Sequence, residues 1–368
     1  MLDYLTIIIK PTNACNMRCK HCYHNEKGYD TNIMSLELIQ HLFCLLKDSV
    51  KNLKIIWHGG EPLIVGIDYY KAIMDLETKF FNNQNVKNCI QTNASLLTNE
   101  YIRFFNENKF DIGVSFDGPY NDLLREKSRV VESNIELLKS NKSDFGILTV
   151  LTSQTITKWK EIYEYFNLNR LGFKFAYIFE SGAAKFNNHL LIDETTYIDE
   201  INKFFDYWIA DNNCNIHVDN FEKFIKMILF NGVGECEYSS CLFHFLGIDS
   251  NGNIYPCGRA YTDEYKMGNL NDFNSIENIF ETDNYKKLLI NSILRRSVCK
   301  DNCEYFIYCQ GGCNNNAIME NGINKNGGFS CKTFKKIFEH IKVRVQQIKD
   351  KELEIHNPFL INLLKSSK

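Results

Sequence analysis

Through the first half of the chain, apolar positions alternate between two rhythms: period two over short runs and a 3.6-residue spacing over longer ones. Residues 5–10, 53–57, 86–91, 111–116, 145–151 and 173–179 read as strands. Between them, residues 35–48, 68–81, 98–108, 131–140 and 158–166 read as helices, with Ser35 opening the first and Thr98 placed to cap the third. Repeated strand–helix units imply a parallel sheet, because each parallel neighbour needs a crossover and a helix supplies it. Six units without a dinucleotide fingerprint point to an α/β fold, a partial (β/α)6 TIM-type barrel, whose ligands sit at the carboxyl ends of the strands. Helical patterns follow at 195–210 and 220–230. Beyond Gly232 long periodic segments become rare while cysteine, asparagine and glycine rise, the texture of a small region held by metal. The tail, 332–368, returns to helix. The expected organisation is a barrel over 1–215, a helical linker over 216–235, a cysteine-rich domain over 236–335 and a helical tail over 336–368.

Composition narrows the chemistry. The 368 residues carry 42 basic and 45 acidic side chains, which gives no sequence-wide reason to bind nucleic acid or an anionic membrane. No run approaches the roughly 18 apolar residues of a membrane helix, and Asp3 stands where a signal peptide needs basic residues. A cytoplasmic protein is expected. Fourteen cysteines in that compartment point to metal or thiol chemistry rather than disulfides. Three of them, Cys44, Cys89 and Cys214, are scattered singly and read as packing residues.

Cys15, Cys19 and Cys22 form a C-x3-C-x2-C loop directly after the first strand. Three thiolates are too few for a closed zinc site, which takes four ligands. On a cubane iron–sulfur cluster, three thiolates leave one iron open to an exogenous ligand. After the second strand comes Trp57-His58-Gly59-Gly60-Glu61-Pro62, where adjacent glycines permit close backbone approach and Glu61 can accept from an ammonium group.

These two motifs, with Tyr23 following the last cysteine, resemble the radical S-adenosylmethionine (radical SAM) enzymes. The resemblance implies that the open iron takes the amino and carboxylate groups of S-adenosylmethionine. One electron then cleaves that cofactor to a 5'-deoxyadenosyl radical, which abstracts hydrogen from the substrate. It also implies further cofactor contacts from Gly59, Gly60, Asn93, Ser115, Asp117 and Arg125, with His21 against the adenine. Asp117-Gly118-Pro119 is also a good turn sequence.

The second set of cysteines is Cys236, Cys241, Cys257, Cys299, Cys303, Cys309, Cys313 and Cys331. Eight thiols suffice for two four-thiolate sites, and zinc ribbons are the competing use of such pairs. Their order resembles the SPASM domain, the auxiliary-cluster extension of peptide-modifying radical SAM enzymes. Cys299 and Cys303 are separated by three residues, where that pattern usually has two between them. The resemblance implies one 4Fe-4S cluster on Cys236, Cys241, Cys257 and Cys313 and another on Cys299, Cys303, Cys309 and Cys331, three with the amino-terminal one. Cys236 is the least secure of these ligands.

Anaerobic sulfatase-maturing enzymes share this architecture, and they carry an aspartate base immediately after the cysteine matching Cys257. This chain has Gly258 there, with Asp263 and Glu264 as the nearest substitutes. The favoured expectation is therefore a peptide maturase that installs a thioether or carbon–carbon crosslink. Formylglycine formation is the alternative, and a non-catalytic electron-transfer or peptide-binding protein a further one. Tyr23, His24, Trp57, His58, Arg259 and Tyr261 are the substrate-facing candidates. The expected partners are a peptide or protein substrate and an external donor such as flavodoxin or ferredoxin. Because the first strand begins within ten residues, a leader peptide would be recognised by a separate protein, the tail or the auxiliary domain.

Overall fold

The computed structural model describes residues 2–24, 31–81, 84–232, 234, 236–239, 241–259 and 263–366. Its strands are β1 (Leu2–Thr12), β2 (Val50–Gly59), β3 (Asn85–Thr92), β4 (Asp111–Ser115), β5 (Phe145–Leu151), β6 (Phe173–Tyr177), β7 (Phe245–Ile248), β8 (Asn253–Tyr255) and β9 (Gly268–Asn269). The first seven helices are α1 (Leu36–Leu46), α2 (Ile67–Phe80), α3 (Asn99–Glu107), α4 (Asn121–Leu124), α5 (Ser128–Ser140), α6 (Trp159–Leu168) and α7 (Glu194–Ala210). The rest are α8 (Asp219–Leu229), α9 (Ile276–Phe280), α10 (Asp283–Asn302), α11 (Phe306–Cys309), α12 (Asn314–Glu320), α13 (Phe329–Lys349) and α14 (Pro358–Ser366). The expected α/β class, with strands and helices alternating in the first half, is the observed one. Ser35 and Thr98 cap their helices as expected, accepting from the backbone N–H of Leu38 and Tyr101 at 3.3 Å.

The chain divides into two compact units. The first comprises residues 1–115, 125–145 and 241–290. Its sheet runs β4-β3-β2-β1-β7-β8-β9, parallel through β7 and antiparallel thereafter. Strand alternation explains the core. Leu5, Ile7 and Ile9 on β1 and Leu53, Ile55 and Trp57 on β2 face one way, and Ile39, Leu42, Phe43 and Leu46 of α1 are likewise buried. Each such side chain contributes about 1.5–3 kcal/mol of transfer free energy. The opposite face of β1 carries Thr6, Ile8 and Lys10.

The second unit comprises residues 116–124, 146–240 and 291–368. β5 and β6 pair in parallel, and Phe175, Phe204, Phe205, Trp208 and Phe221 form a continuous aromatic cluster. Asp206 on α7 ties down α13 through His340 (2.8 Å) and a two-point pair with Arg344 (2.8 Å each). The tail is two helices: Asn357 breaks it, capping α14 while donating to the Trp208 carbonyl at 2.8 Å.

Beyond Gly232, where long periodic segments are rare, α10 nevertheless runs for 20 residues. Its pattern is inside out: Ser292, Arg295 and Arg296 are buried while Ile290, Ile293, Leu294 and Val298 are exposed. That inversion hides it from any search for an apolar stripe.

Candidate functional site

The cysteine loop leaves β1 at Thr12, whose hydroxyl accepts the Ala14 N–H at 3.1 Å. Arg18 braces the loop by donating to the carbonyls of Cys15 (2.7 Å) and Met17 (3.1 Å), and the Cys22 N–H closes a turn on the Cys19 carbonyl. The Gly-Gly turn at the end of β2 lies directly on this loop. Gly60 donates to the Thr12 carbonyl (3.1 Å) and Glu61 to that of Ala14 (2.8 Å). A Cβ on Gly60 would stand 2.0 Å from the Ala14 oxygen, and one on Gly59, at φ +112°, 2.6 Å from the Thr12 oxygen. The close approach these glycines permit is therefore to the chain's own cysteine loop.

Glu61 is 1% exposed and its carboxylate accepts from the Leu63 N–H (3.1 Å), the Thr92 hydroxyl (2.6 Å) and the Asn93 N–H (2.8 Å). Burial nevertheless pushes its pKa up to about 7. These bonds staple the ends of β2 and β3 together. Asn93 reaches the loop itself, donating to Asn16 Oδ1 at 2.9 Å and approaching Cys15 Sγ at 3.9 Å. Asn16, which also donates to Ser95, is a joint that sequence reasoning missed. Ser115 accepts from Gln91 (2.9 Å). Arg125 is half-buried and His21 is buried.

Asp117 is 1% exposed, and in its unit its carboxylate accepts from the Val150 N–H (2.7 Å) and the Thr149 hydroxyl (3.3 Å). Both partners belong to β5, and these bonds fix the turn that carries Asp117.

Lys10, 1% exposed, is the feature that sequence reasoning missed, although a charge inside an apolar strand run was the signal. Burial drives its pKa well below the lysine range, while Asp249, Cys257 and Cys22 pull it back up. Its ammonium lies 5.5 Å from the centre of the Tyr23 ring, and that ring packs edge-on to His58 and tilted against His24. Burial, with Lys10 close by, pushes His58 down to about 4 and His24 down to about 3, so both imidazoles are neutral at pH 7. His58 Nδ1 accepts the Gly59 N–H at 2.7 Å, which leaves the proton on Nε2. Arg259 acts electrostatically on Tyr23 and its N–H points at Cys257 Sγ, 3.5 Å away.

Four of the substrate-facing candidates, Tyr23, His24, His58 and Arg259, thus gather around Lys10. Trp57 does not: it is wholly buried on the other face of β2, with its indole N–H bonded to Asn88 and its ring edge-on to Tyr70. Strand alternation, which sends neighbouring residues to opposite faces, is the reason. Tyr261 lies outside the described residues. Gly258 is packed against Ile8, and a Cβ there would meet Ile8 Cδ1 at 2.6 Å and Cγ2 at 2.8 Å. Glu264 is exposed and paired with Lys287 at 3.2 Å, away from any role as an enclosed base.

No disulfide joins any of the fourteen cysteines. Burial, then Glu61 and the neighbouring Cys19 and Cys22, push Cys15 up to about 11. Cys15, Cys19 and Cys22 lie half-buried on this one loop, a three-thiol donor set whose chemistry fits an iron–sulfur group. In the second unit Cys299, Cys303, Cys309 and Cys331 come together in the same way: burial and the other three thiols raise Cys309 to about 11. Cys241 and Cys257 belong to the first unit, Cys236 and Cys313 to the second.

Comparison with known proteins agrees with this chemistry. Residues 9–166 match the radical SAM superfamily, and residues 236–310 match SPASM, an iron–sulfur cluster-binding domain. The cysteine-type anaerobic sulfatase-maturating enzyme of Clostridium perfringens is 27% identical over 361 residues, covering 91% of this chain and 96% of that protein. The serine-type enzyme of Bacteroides thetaiotaomicron is 26% identical over 404 residues, covering 99% and 95%. The structure of native anSMEcpe with bound AdoMet superposes with a TM-score of 0.83 at 25% identity, covering 94% of this chain and 99% of that one. Streptococcus suis SuiB bound to its precursor peptide SuiA shares the fold, with a TM-score of 0.62 at 17% identity over 90% of this chain and 76% of that one.

Proposed function

From the premise that this chain belongs to the radical SAM superfamily, carries a SPASM iron–sulfur domain and is an enzyme, we propose that it matures a ribosomal peptide by installing a thioether or carbon–carbon crosslink. When bound to Cys15, Cys19 and Cys22, a 4Fe-4S cluster with S-adenosylmethionine supplies a 5'-deoxyadenosyl radical that abstracts hydrogen from the substrate. The SPASM match supports further iron–sulfur clusters in the carboxyl-terminal region, one of which Cys299, Cys303, Cys309 and Cys331 would hold.

The protein's part is placement. Glu61 fixes the β2 turn and the β3 end against the cysteine loop, so Gly59, Gly60, Asn93, Ser115 and Arg125 present backbone and polar groups to the cofactor from a rigid base. His21, buried in the cysteine loop, would contact the adenine of that cofactor. Lys10, Tyr23, His58 and Arg259 form the wall that a substrate side chain meets. A peptide substrate is supported by the structure of anSMEcpe with bound AdoMet and Kp18Cys peptide, 26% identical with a TM-score of 0.82. An external flavodoxin or ferredoxin would supply the electron, and a separate protein, the carboxyl-terminal tail or the auxiliary domain would read the leader.

The observation that carries crosslinking over formylglycine formation is Gly258. The position after Cys257 bears no carboxylate and, with Ile8 against it, has no room for one. A second reading, formylglycine formation on a sulfatase, is favoured by the names of the relatives. Anaerobically reconstituted protein is expected to form 5'-deoxyadenosine, and the Cys15/Cys19/Cys22 triple alanine variant to form none. Mass spectrometry then separates the readings. Loss of a hydrogen pair from a cysteine-containing peptide supports crosslinking, whereas a hydrazide-reactive aldehyde on a sulfatase-motif peptide replaces it with the second reading.

A further inference from the structure

In the second unit, two cations stand one helical turn from cysteines of the same site. Arg295 precedes Cys299 by four residues on α10, and Lys335 follows Cys331 by four on α13, spacings that put each pair on one helix face. Arg295 is 4% exposed; it donates to the Gly311 carbonyl, to Gly312 O (3.4 Å) and to Asn314 Oδ1 (2.8 Å). These bonds hold its guanidinium over the turn between Cys309 and Cys313, where Gln310, Gly311 and Gly312 all have positive φ. Arg296 grips the same turn through the Gln310 carbonyl and Gly312 O.

Lys335 is half-buried on α13, where Cys303, Cys331 and Cys299 all act on its ammonium electrostatically. The carboxylates in the neighbourhood are weaker counterweights. Glu320, which acts on Arg295, is committed to Ser330, and Glu304 and Glu339 are exposed, where solvent and salt screen them. A desolvated guanidinium carries a permanent charge and is screened far less.

We propose that Arg295 and Lys335 raise the reduction potential of a cluster held by Cys299, Cys303, Cys309 and Cys331, so that this site accepts an electron more readily than its sulfurs alone would allow. The inference rests on the reading that these four cysteines hold a cluster. Added positive charge beside a cluster favours its reduced, more negative state.

The test is an EPR-monitored redox titration of the anaerobically reconstituted full chain, with iron and sulfide measured in parallel. Lys335→Met keeps the aliphatic stem and removes the charge. It is expected to bind as much iron as wild type while one midpoint falls by about tenfold in the reduction equilibrium, about 59 mV for a one-electron couple. Lys335→Arg is expected to keep the wild-type midpoint, and the signal that moves is the one missing from a Cys299→Ala/Cys303→Ala variant. Arg295→Met is the second probe, but it also frees the Gly311 turn, so Lys335→Met decides if that variant fails to fold. Full iron with an unchanged midpoint in Lys335→Met overturns the inference. Full iron in Cys299→Ala/Cys303→Ala overturns instead the reading that these residues hold a cluster.

Discussion

Trp57 donates its indole N–H to Asn88 Oδ1 at 2.9 Å, and the amide of Asn88 in turn donates to both carboxylate oxygens of Glu77 at 2.9 Å. All three are buried, so a potential carboxylate charge sits at the end of a relay inside the helix layer. Burial pushes Glu77 up to about 7, against the Asn88 bond that lowers it. The folded chain therefore keeps a proton that the unfolded chain releases near 4.5, and stability falls as pH rises between those values. Glu77→Gln is expected to raise stability at pH 8 by up to roughly 3 kcal/mol and to flatten that slope. Glu61, shifted in the same direction, keeps part of it. Urea titrations of both proteins across the window check this.

Gly258 has a steric neighbour rather than a chemical role. Gly258→Ala is expected to cost about 1–3 kcal/mol by forcing Ile8 aside, and Ile8→Ala in the same chain to recover part of that loss. Anaerobic denaturation of the two variants measures it. A Gly258→Asp change that restored aldehyde formation without any change at Ile8 would show that the packing yields more easily than these distances imply.

Gly60→Ala places a methyl group onto the Ala14 carbonyl, which is backbone and has nowhere to go. The cysteine loop is expected to shift away from β2, with loss of about four irons per chain and of 5'-deoxyadenosine formation. The far-ultraviolet circular dichroism is expected to stay unchanged, because the strands themselves are untouched. Iron analysis against the Cys15/Cys19/Cys22 variant checks it.

Asp206 joins α7 to α13. Partial burial raises its pKa, but the bonds from His340 and Arg344 outweigh burial and hold it down at about 2. A depressed carboxyl adds stability above its unfolded value near 3.8, and that gain disappears as pH falls through about 2. Because the pair is about one-third exposed, Asp206→Asn is expected to cost only about 1 kcal/mol at pH 7, with the difference shrinking below pH 4. Thermal melts at pH 7 and pH 3 separate the two.

The alternating strands and helices of the first half were legible because each buries one face, and a half-buried element writes its period into the sequence. The cysteine loops were legible because metal chemistry restricts both residue type and spacing. What stayed hidden had no periodic signature. α10 buries arginines and exposes isoleucines, so its pattern is inverted. β7 finds its partner at the other end of the sequence, which no local window contains. Trp57 misled because a residue next to a motif shares its address but not its strand face. Asn16 and Lys10 were individually unremarked polar residues until folding set them among the cysteines.

The pairing of β1 has a consequence for how the chain is made. One edge of β1 is covered by β2, but the other waits for Phe245–Ile248, so Ile9 meets Ile248 across about 240 residues of intervening sequence. At roughly 5–20 residues per second on the ribosome, the nascent protein carries an open, isoleucine-rich strand edge for about 12–50 s before its second neighbour emerges. For that interval β1 stays open along one side. Slower translation would lengthen its exposure to other chains, and a chaperone that shields extended apolar segments would have its natural client here.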